Sequence, residues 1–398
     1  MIVVALTDSD SYLKWGAATL DRVVPHDERH IIVVANPVMP SPTQRAAALA
    51  TTTWAGRDAD VLSADEAVER VRVLGADAVL VAMRGPTAAL LLAMLAELPR
   101  RPVLWSGIPG IALPARRKAL VYRAQADLMI VHSHHEREAF RALDRVEGMQ
   151  HQFALTSLPF LDRRPSVGDD IVFAAQALVP ATRVQRRHLV AALVATAETH
   201  PERRVVLKVR AQAGEKQTHD ERWPLDSLLP SVVPSNLVVQ PGPMTAVLDR
   251  AGGVASVSST ALIEAVARGI PALVLGDYGV SDEQLNGIFE SSGLIGSTRD
   301  LEAGRFFEVD ATWAHRNYLH DAGDDDAHAM LAATVEQHAN APIVARSARR
   351  STTGGRLRRA WDRRTALGRH DGRAWGTVAL AVGVPARALV RAARKLKA

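Results

Sequence analysis

Short apolar runs alternate with helix-patterned segments along most of this chain, and the alternation halts once, near residue 160, before starting again. The first series reads as strands over 2–6, 31–35, 78–83, 102–105 and 128–132. Helical spacing falls over 12–24, 65–74, 87–98 and 115–126. Residues 158–170 break into Pro, Arg, Gly and Asp and read as a linker. The second series places strands at 171–175, 205–209, 237–240 and 254–257, with helices at 186–199 and 244–251. Strands that are apolar throughout, with no polar alternate positions, belong to parallel sheets covered by helices on both faces. The reading is therefore α/β, with two consecutive doubly wound domains at 1–160 and 161–342 and a tail at 343–398. Ligands of such sheets bind at the carboxyl ends of the strands, here expected in the cleft between the domains. A helix at 313–320 is expected to return to the first domain.

The length of 398 residues and 47% apolar content suit two cores. With no cysteine, the chain has no disulfide, thiolate metal site or thiol nucleophile. The N-terminus, Met1-Ile-Val-Val-Ala-Leu-Thr-Asp, reads as a first strand and lacks a basic leader. No apolar run reaches the roughly 18–20 residues needed to span a bilayer. The net charge of +5 divides unevenly: residues 343–398 carry +13 and the remainder −8. The body is mildly acidic, and a nucleic-acid reading would rest on the tail alone, with no groove-reading fold beside it.

The densest motif is Ser256-Val-Ser-Ser-Thr-Ala-Leu-Ile-Glu-Ala-Val-Ala-Arg-Gly-Ile-Pro271, followed by Ala-Leu-Val-Leu and Gly276. It reads as loop, helix and strand, with Gly269 and Pro271 ending the helix. Ser258, Ser259 and Thr260 at the helix start offer hydroxyls, free N–H groups and the positive end of the dipole, which together suit a phosphate. Glu264, one turn in, is placed to accept hydrogen bonds from sugar hydroxyls. The same residues also fit an ordinary N-cap with a nearby acid.

The second half resembles the donor domain of GT-B glycosyltransferases, through Ile-Val-Phe-Ala-Ala-Gln176, Val-Val-Leu-Lys208-Val-Arg210 and the Ser-Ser-Thr…Glu-Ala…Gly-Ile-Pro block. It is most similar to bacterial capsule, Kdo and polysialic acid transferases and a related glycosyltransferase family of undefined specificity. The first half fits the same group through Asp8-Ser-Asp-Ser-Tyr-Leu-Lys-Trp15, Ser-Gly-Ile-Pro-Gly110 and Val-His132-Ser133…Glu136. The resemblance covers about 1–340 and implies two Rossmann-like domains, a nucleotide-sugar donor and a metal-independent, inverting transfer. One departure bears on a CMP-sugar donor and not on the fold. The family's His-Pro pair is missing after Lys208-Val-Arg210, leaving Arg210 or His219 to supply the cation.

By role, the departing phosphate needs preorganised donors and cations. Ser258, Ser259, Thr260, Lys208 and Arg210 are expected there, with Gln176 as a polar partner at the neighbouring strand end. The acceptor hydroxyl needs a base. Asp10 first and Asp8 second stand past the first strand's carboxyl end, where either could instead cap the next helix. Asp8-Ser-Asp10 also spells the acidic motif of metal-dependent GT-A enzymes, but its position favours a reaction without metal. His134 and His135 diverge in regular structure, with no ligand cluster expected nearby. Asp324-Asp-Asp326 reads as a solvated loop.

Ser106, Gly107 and Gly110 form an expected acceptor-side loop, and Asp277 a contact to base or sugar. Residues 347–373 read as flexible and Arg-rich, and 375–397 as a basic amphipathic helix interrupted at Pro385. That tail suits an anionic membrane surface. Together these features describe a glycosyltransferase acting on a glycan or lipid-linked acceptor at the inner face of the membrane, from the cytoplasm. A nucleotide-sugar epimerase of the same fold and a non-enzymatic membrane scaffold are the alternatives.

Overall fold

The parallel sheets expected from the apolar runs are present in the computed structural model, which describes residues 1–209, 221–341, 343–346, 355–373, 375, 376 and 381. The chain divides into two units. One takes in Met1–Val131, Arg137–Pro159 and the described residues from Asp324 on; the other takes in His132–Glu136 and Phe160–Gly323.

The first unit is built on seven strands: β1 (Ile2–Thr7), β2 (Glu28–Val34), β3 (Asp60–Leu62), β4 (Ala78–Ala82), β5 (Val103–Gly107), β6 (Leu128–Val131) and β7 (Gln152–Leu155). All pair in parallel, in the order β3-β2-β1-β4-β5-β6-β7, so the winding reverses between β1 and β4. Every residue of β4, β5 and β6 is buried, as continuous apolar strands require. The edge strands β3 and β7 were not legible, because a three-residue strand with two exposed positions and a four-residue run starting at Gln152 give no apolar stretch.

The helices of this unit are α1 (Asp10–Val23), α2 (Pro42–Leu49), α3 (Ala64–Leu74), α4 (Gly85–Ala96), α5 (Arg117–Tyr122) and α6 (His134–Glu147), whose first turn groups with the second unit. α2 and α3 start on complete capping boxes, Ser41 with Gln44 and Ser63 with Glu66, which satisfy orphan N–H donors at both starts.

The second unit holds β8 (Asp170–Ala174), β9 (Val205–Lys208), β10 (Leu237–Gln240), β11 (Ala251–Ser256), β12 (Ala272–Leu275) and β13 (Ile295–Gly296). They too are parallel, ordered β10-β9-β8-β11-β12-β13, with the reversal between β8 and β11. Its helices are α7 (Arg183–Thr199), α8 (Met244–Leu248), α9 (Thr260–Ala267), α10 (Thr298–Glu302) and α11 (Ala311–Arg316). Phe173, Leu189, Leu193, Val205, Leu207 and Leu273 form its core.

Three expectations for the C-terminal third are corrected. The helix expected at 313–320 is α11, and it stays in the second unit. The chain rejoins the first unit from Asp324 and forms α12 (Ala327–Asn340), which packs against β5 and β7. The acidic run is not a solvated loop. Asp326 accepts from the Leu155 N–H (2.6 Å) and Arg137 (2.7 Å), and Asp325 accepts from the Ser157 N–H (2.7 Å) and Arg22 (3.0 Å).

Residues 347–373 are not flexible throughout, since α13 (Gly355–Leu367) docks on α4. Ala366 and Leu367 join Leu91, Leu95, Val79 and Val81 in the first unit's core. Arg363, buried, pairs with Asp65 (2.7 Å) and Asp371 (3.0 Å). Most of the amphipathic helix expected at 375–397 lies outside the described residues.

Candidate functional site

Asp8 and Asp10 follow β1 at the reversal point of the first sheet, where a doubly wound fold concentrates its functional groups. They have separate surroundings. Asp8 is fully buried. Its carboxylate accepts from the Arg84 backbone N–H (3.2 Å) and from Arg84 Nε (3.0 Å), with the Thr87 hydroxyl as a further hydrogen-bond partner. Burial pushes its carboxyl above the usual 3.8, with the Arg84 charge opposing. Arg84 follows β4, so the pair joins the two strands across the reversal. Asn36 completes the cluster: its Nδ2 donates to the Asp8 carbonyl (2.7 Å), and its Oδ1 accepts from Arg84 Nη2 (3.0 Å).

Asp10 is exposed in the first turn of α1. Neither aspartate caps this helix. Ser9 is the N-cap, and its buried hydroxyl makes no cap bond and has no partner among the described residues. An orphaned buried hydroxyl is uncommon in a folded protein.

The expected acceptor loop is corrected. Ser106 and Gly107 lie inside β5, buried. Ser106 Oγ donates to the Val81 carbonyl (2.6 Å) and accepts from Arg123 Nε (3.0 Å). Gly107 is required because a Cβ there would stand 2.7 Å from the Trp15 ring. Gly110 turns the chain with φ +76°. Arg123, almost fully buried, spans this corner by donating to the Gly107 and Met83 carbonyls (2.8 and 3.1 Å) and to the Tyr12 hydroxyl (3.2 Å). Sequence reasoning missed Arg84, Asn36 and Arg123; each is a single polar residue at a strand or helix end, with no motif around it.

In the second unit the reversal between β8 and β11 brings together Gln176, just past β8, and the Ser-Ser-Thr start of α9. Ser259 is the N-cap, its hydroxyl accepting from the Ala261 N–H (3.2 Å). Gly269, with φ +69°, follows the helix as the sequence required. Glu264 is buried on α9.

Several second-unit hydroxyls and acids are already committed to the fold. Ser258 Oγ donates to the Leu285 carbonyl, tying the 276–289 loop to the start of α9. Asn286, fully buried, latches the same loop by accepting from the Ser281 N–H (2.9 Å) and donating to the Gly279 carbonyl (3.0 Å). Asp277 does not stand free for a sugar; both its oxygens accept from Thr298, at 2.9 Å from the N–H and 2.8 Å from the hydroxyl. Lys208, at the end of β9, is buried and not solvated, with Nζ on the Val209 carbonyl. The Gln176 carbonyl accepts from Arg186 Nη2 (2.9 Å). Arg210 and His219 lie outside the described residues.

Ser133 and Glu136 form a further cluster, spaced as a capping box at the start of α6. Ser133 Oγ accepts from the Glu136 N–H (3.0 Å), and the buried Glu136 carboxylate accepts from the His132 N–H (2.8 Å) and Tyr318 Oη (2.6 Å). Tyr318, fully buried, has φ +71°, a strained conformation for a side chain of this size. The Ser-x-x-Glu spacing was the available signal. His134 and His135 both meet the 315–320 segment, and the expectation of no ligand cluster nearby is corrected. His134 stacks on His315 and meets His320 edge-on, with ring centroids 5.4 and 5.3 Å apart, while His135 Nδ1 bonds Asn317 Oδ1 at 3.0 Å.

Two doubly wound units, each with polar residues gathered at its own reversal point, are the architecture of GT-B proteins. The fold is shared with UDP-GlcNAc 2-epimerase from Neisseria meningitidis bound to UDP-GlcNAc (TM-score 0.52, 12% identity, covering 85% of this chain and 100% of that one). It is shared also with the S. aureus MnaA–UDP co-structure (0.53, 11%, 85% and 97%). A third such structure is Medicago truncatula UGT71G1 complexed with UDP-glucose (0.50, 10%, 86% and 94%). No curated protein matches by sequence. Residues 3–334 match the family described as "Putative glycosyltransferase (DUF6716)", and the chain belongs to that family.

Proposed function

We propose that the protein transfers a glycosyl group from a nucleoside-diphosphate sugar to a hydroxyl of a glycan or lipid-linked acceptor. The observation that carries this reading is the presence of two unlike strand-end sites, one in each unit, in a chain of this family. One is a hydroxyl-rich helix start suited to phosphate; the other holds an exposed carboxylate suited to proton removal. The neighbouring structures hold UDP, UDP-GlcNAc or UDP-glucose, which makes a uridine nucleotide the first donor to test.

In this mechanism the α9 start receives the diphosphate on its free N–H groups, with Thr260 and the Ser259 hydroxyl alongside and Lys208 adding charge. Glu264 accepts from hydroxyls of the ribose or sugar. Asp10 takes the acceptor's proton as that oxygen bonds the anomeric carbon. The anomeric carbon–phosphate oxygen bond breaks, its electron pair leaves with the nucleoside diphosphate, and the configuration inverts. The helix dipole and Lys208 balance the departing charge, so no metal is required. Asp8 serves as a positioning residue that fixes Arg84 and the end of β1. Adsorption to an anionic membrane falls to residues 377–398, which carry five Arg or Lys and no acid.

The test is thermal stability against UDP, CMP, GDP, ADP and CDP, with and without Mg²⁺. A ligand at about 100 times its Kd stabilises by about 2.7 kcal/mol. One nucleotide should raise the melting point without metal, and a flat panel sinks the proposal. UDP-GlcNAc incubated without acceptor should stay unchanged; a C2 epimer would replace the transferase with an epimerase.

A further inference from the structure

Next to Asp8, within the first unit, lies a cavity of about 170 Å³ lined by Pro37, Arg84, Pro86, Thr87, Thr365 and Ala366. Two of these residues come from α13, some 280 positions along the chain from Arg84, so the site exists only because the C-terminal helix is docked. At about 30 Å³ per water, the space exceeds what one or two solvent molecules fill and accommodates a tetrahedral or planar oxyanion. Its wall offers a rigid donor. Arg84 Nε is held by Asp8 at 3.0 Å and Nη2 by Asn36 at 3.0 Å. Nη1 has no partner among the described residues, and the side chain is 30% exposed. A guanidinium clamped on one edge, with its other edge unspent, is preorganised for an anionic oxygen.

On the α13 side the cavity is lined by Thr365 and Ala366. α13 carries five arginines and one aspartate, and the docking of Arg363 on Asp65 and Asp371 fixes the helix in place. Gly368, just past α13, is needed for this seating, since a Cβ there would meet Pro37 Cγ at 2.5 Å.

We propose that this cavity seats an anionic oxygen group of the acceptor, phosphate or carboxylate, between Arg84 and α13, so that the C-terminal helix helps set acceptor specificity. The proposal rests on the transferase reading, in which the first unit takes the acceptor. It defines that acceptor as an acidic molecule.

The experiment titrates full-length protein with inorganic phosphate and, separately, with acetate at matched ionic strength. Binding is read by calorimetry for wild type, Thr365→Glu and Thr365→Lys. Thr365 is exposed on the cavity's rim, so neither variant disturbs the buried Asp8–Arg84 pair. A carboxylate placed there should weaken binding by about tenfold, and an ammonium should tighten it severalfold. The anion that responds more strongly identifies phosphate or carboxylate as the group. Equal affinities in the three proteins, or no binding of either anion, overturn the proposal; phosphate held elsewhere would not sense residue 365. The nucleotide panel run on the same variants separates the two readings. A kept nucleotide shift with no anion response rejects only the subsite, whereas anion binding without any nucleotide shift rejects only the transferase.

Discussion

Asp8 and Asp10, two positions apart, diverge because one ends a strand inside the sheet and the other begins a helix on its surface. Asp10→Asn should abolish transfer while costing about 0.3–1 kcal/mol of stability, the value of an acid at a helix start. An active Asp10→Asn enzyme with wild-type kcat would remove it as the base. Asp8→Asn should act through the fold. An amide keeps one acceptor oxygen where the carboxylate has two and brings no charge to Arg84, and a loss of about 1–3 kcal/mol is expected in denaturant melts.

Asn286→Ala should cost a similar amount by unlatching the 276–289 loop, and should weaken nucleotide binding at the neighbouring α9 start. Unchanged nucleotide affinity would separate that loop from the donor site. The Asp8-Ser-Asp10 and Ser-Ser-Thr segments could be found from sequence because each sits where an apolar run stops. Arg84 also follows an apolar run but stands alone there, and what defines it is pairing to a residue 76 positions earlier. Ser106 misled for the opposite reason: a Ser-Gly turn signal sat inside a buried strand, where Arg123 and the Val81 carbonyl satisfy the hydroxyl.

Among elements, apolar runs gave the strands more reliably than periodicity gave the helices. β1, β4, α3 and α7 fall within a few residues of their expected bounds, while α2, α6, α12 and α13 went unread. α13 shows why: its interior face is essentially Ala366 and Leu367, too little apolar pattern among the arginines to separate it from a solvated tail. Leu367→Ala should cost about 2–5 kcal/mol, against almost nothing for a side chain on a loose tail, and chemical denaturation decides between them.

Truncation belongs to this scale too. Ending the chain at residue 346 should destabilise the first unit, whereas ending it at 376 should leave the melting point intact and remove binding to anionic liposomes. Undiminished sedimentation of the 376 product with such liposomes would dismiss the membrane assignment. α10 gives a pH dependence. Hydrogen bonds from Ser297, with Arg305 adding to them, hold the Asp300 carboxyl below its usual 3.8. Its stabilisation is complete above that value and lost as pH falls through the lower folded value. Asp300→Asn should therefore flatten the acid limb of the stability curve below about pH 4, and a limb identical to wild type would refute the assignment.

At the scale of the whole molecule, the sequence made the doubling legible but not the path of the chain. Two series of apolar runs announce two sheets; nothing in periodicity says that the stretch after residue 323 crosses back to complete the first. That crossing has a consequence for synthesis. The first unit needs the 325–326 aspartates to pin the end of β7 and Leu367 to fill its core. On the ribosome its opening 159 residues must wait, while the second unit, nearly contiguous from 160 to 323, has everything it needs to close first. Nascent chains arrested with residue 323 just outside the exit tunnel should thus show a protease-resistant second unit beside an N-terminal half that is still cleavable.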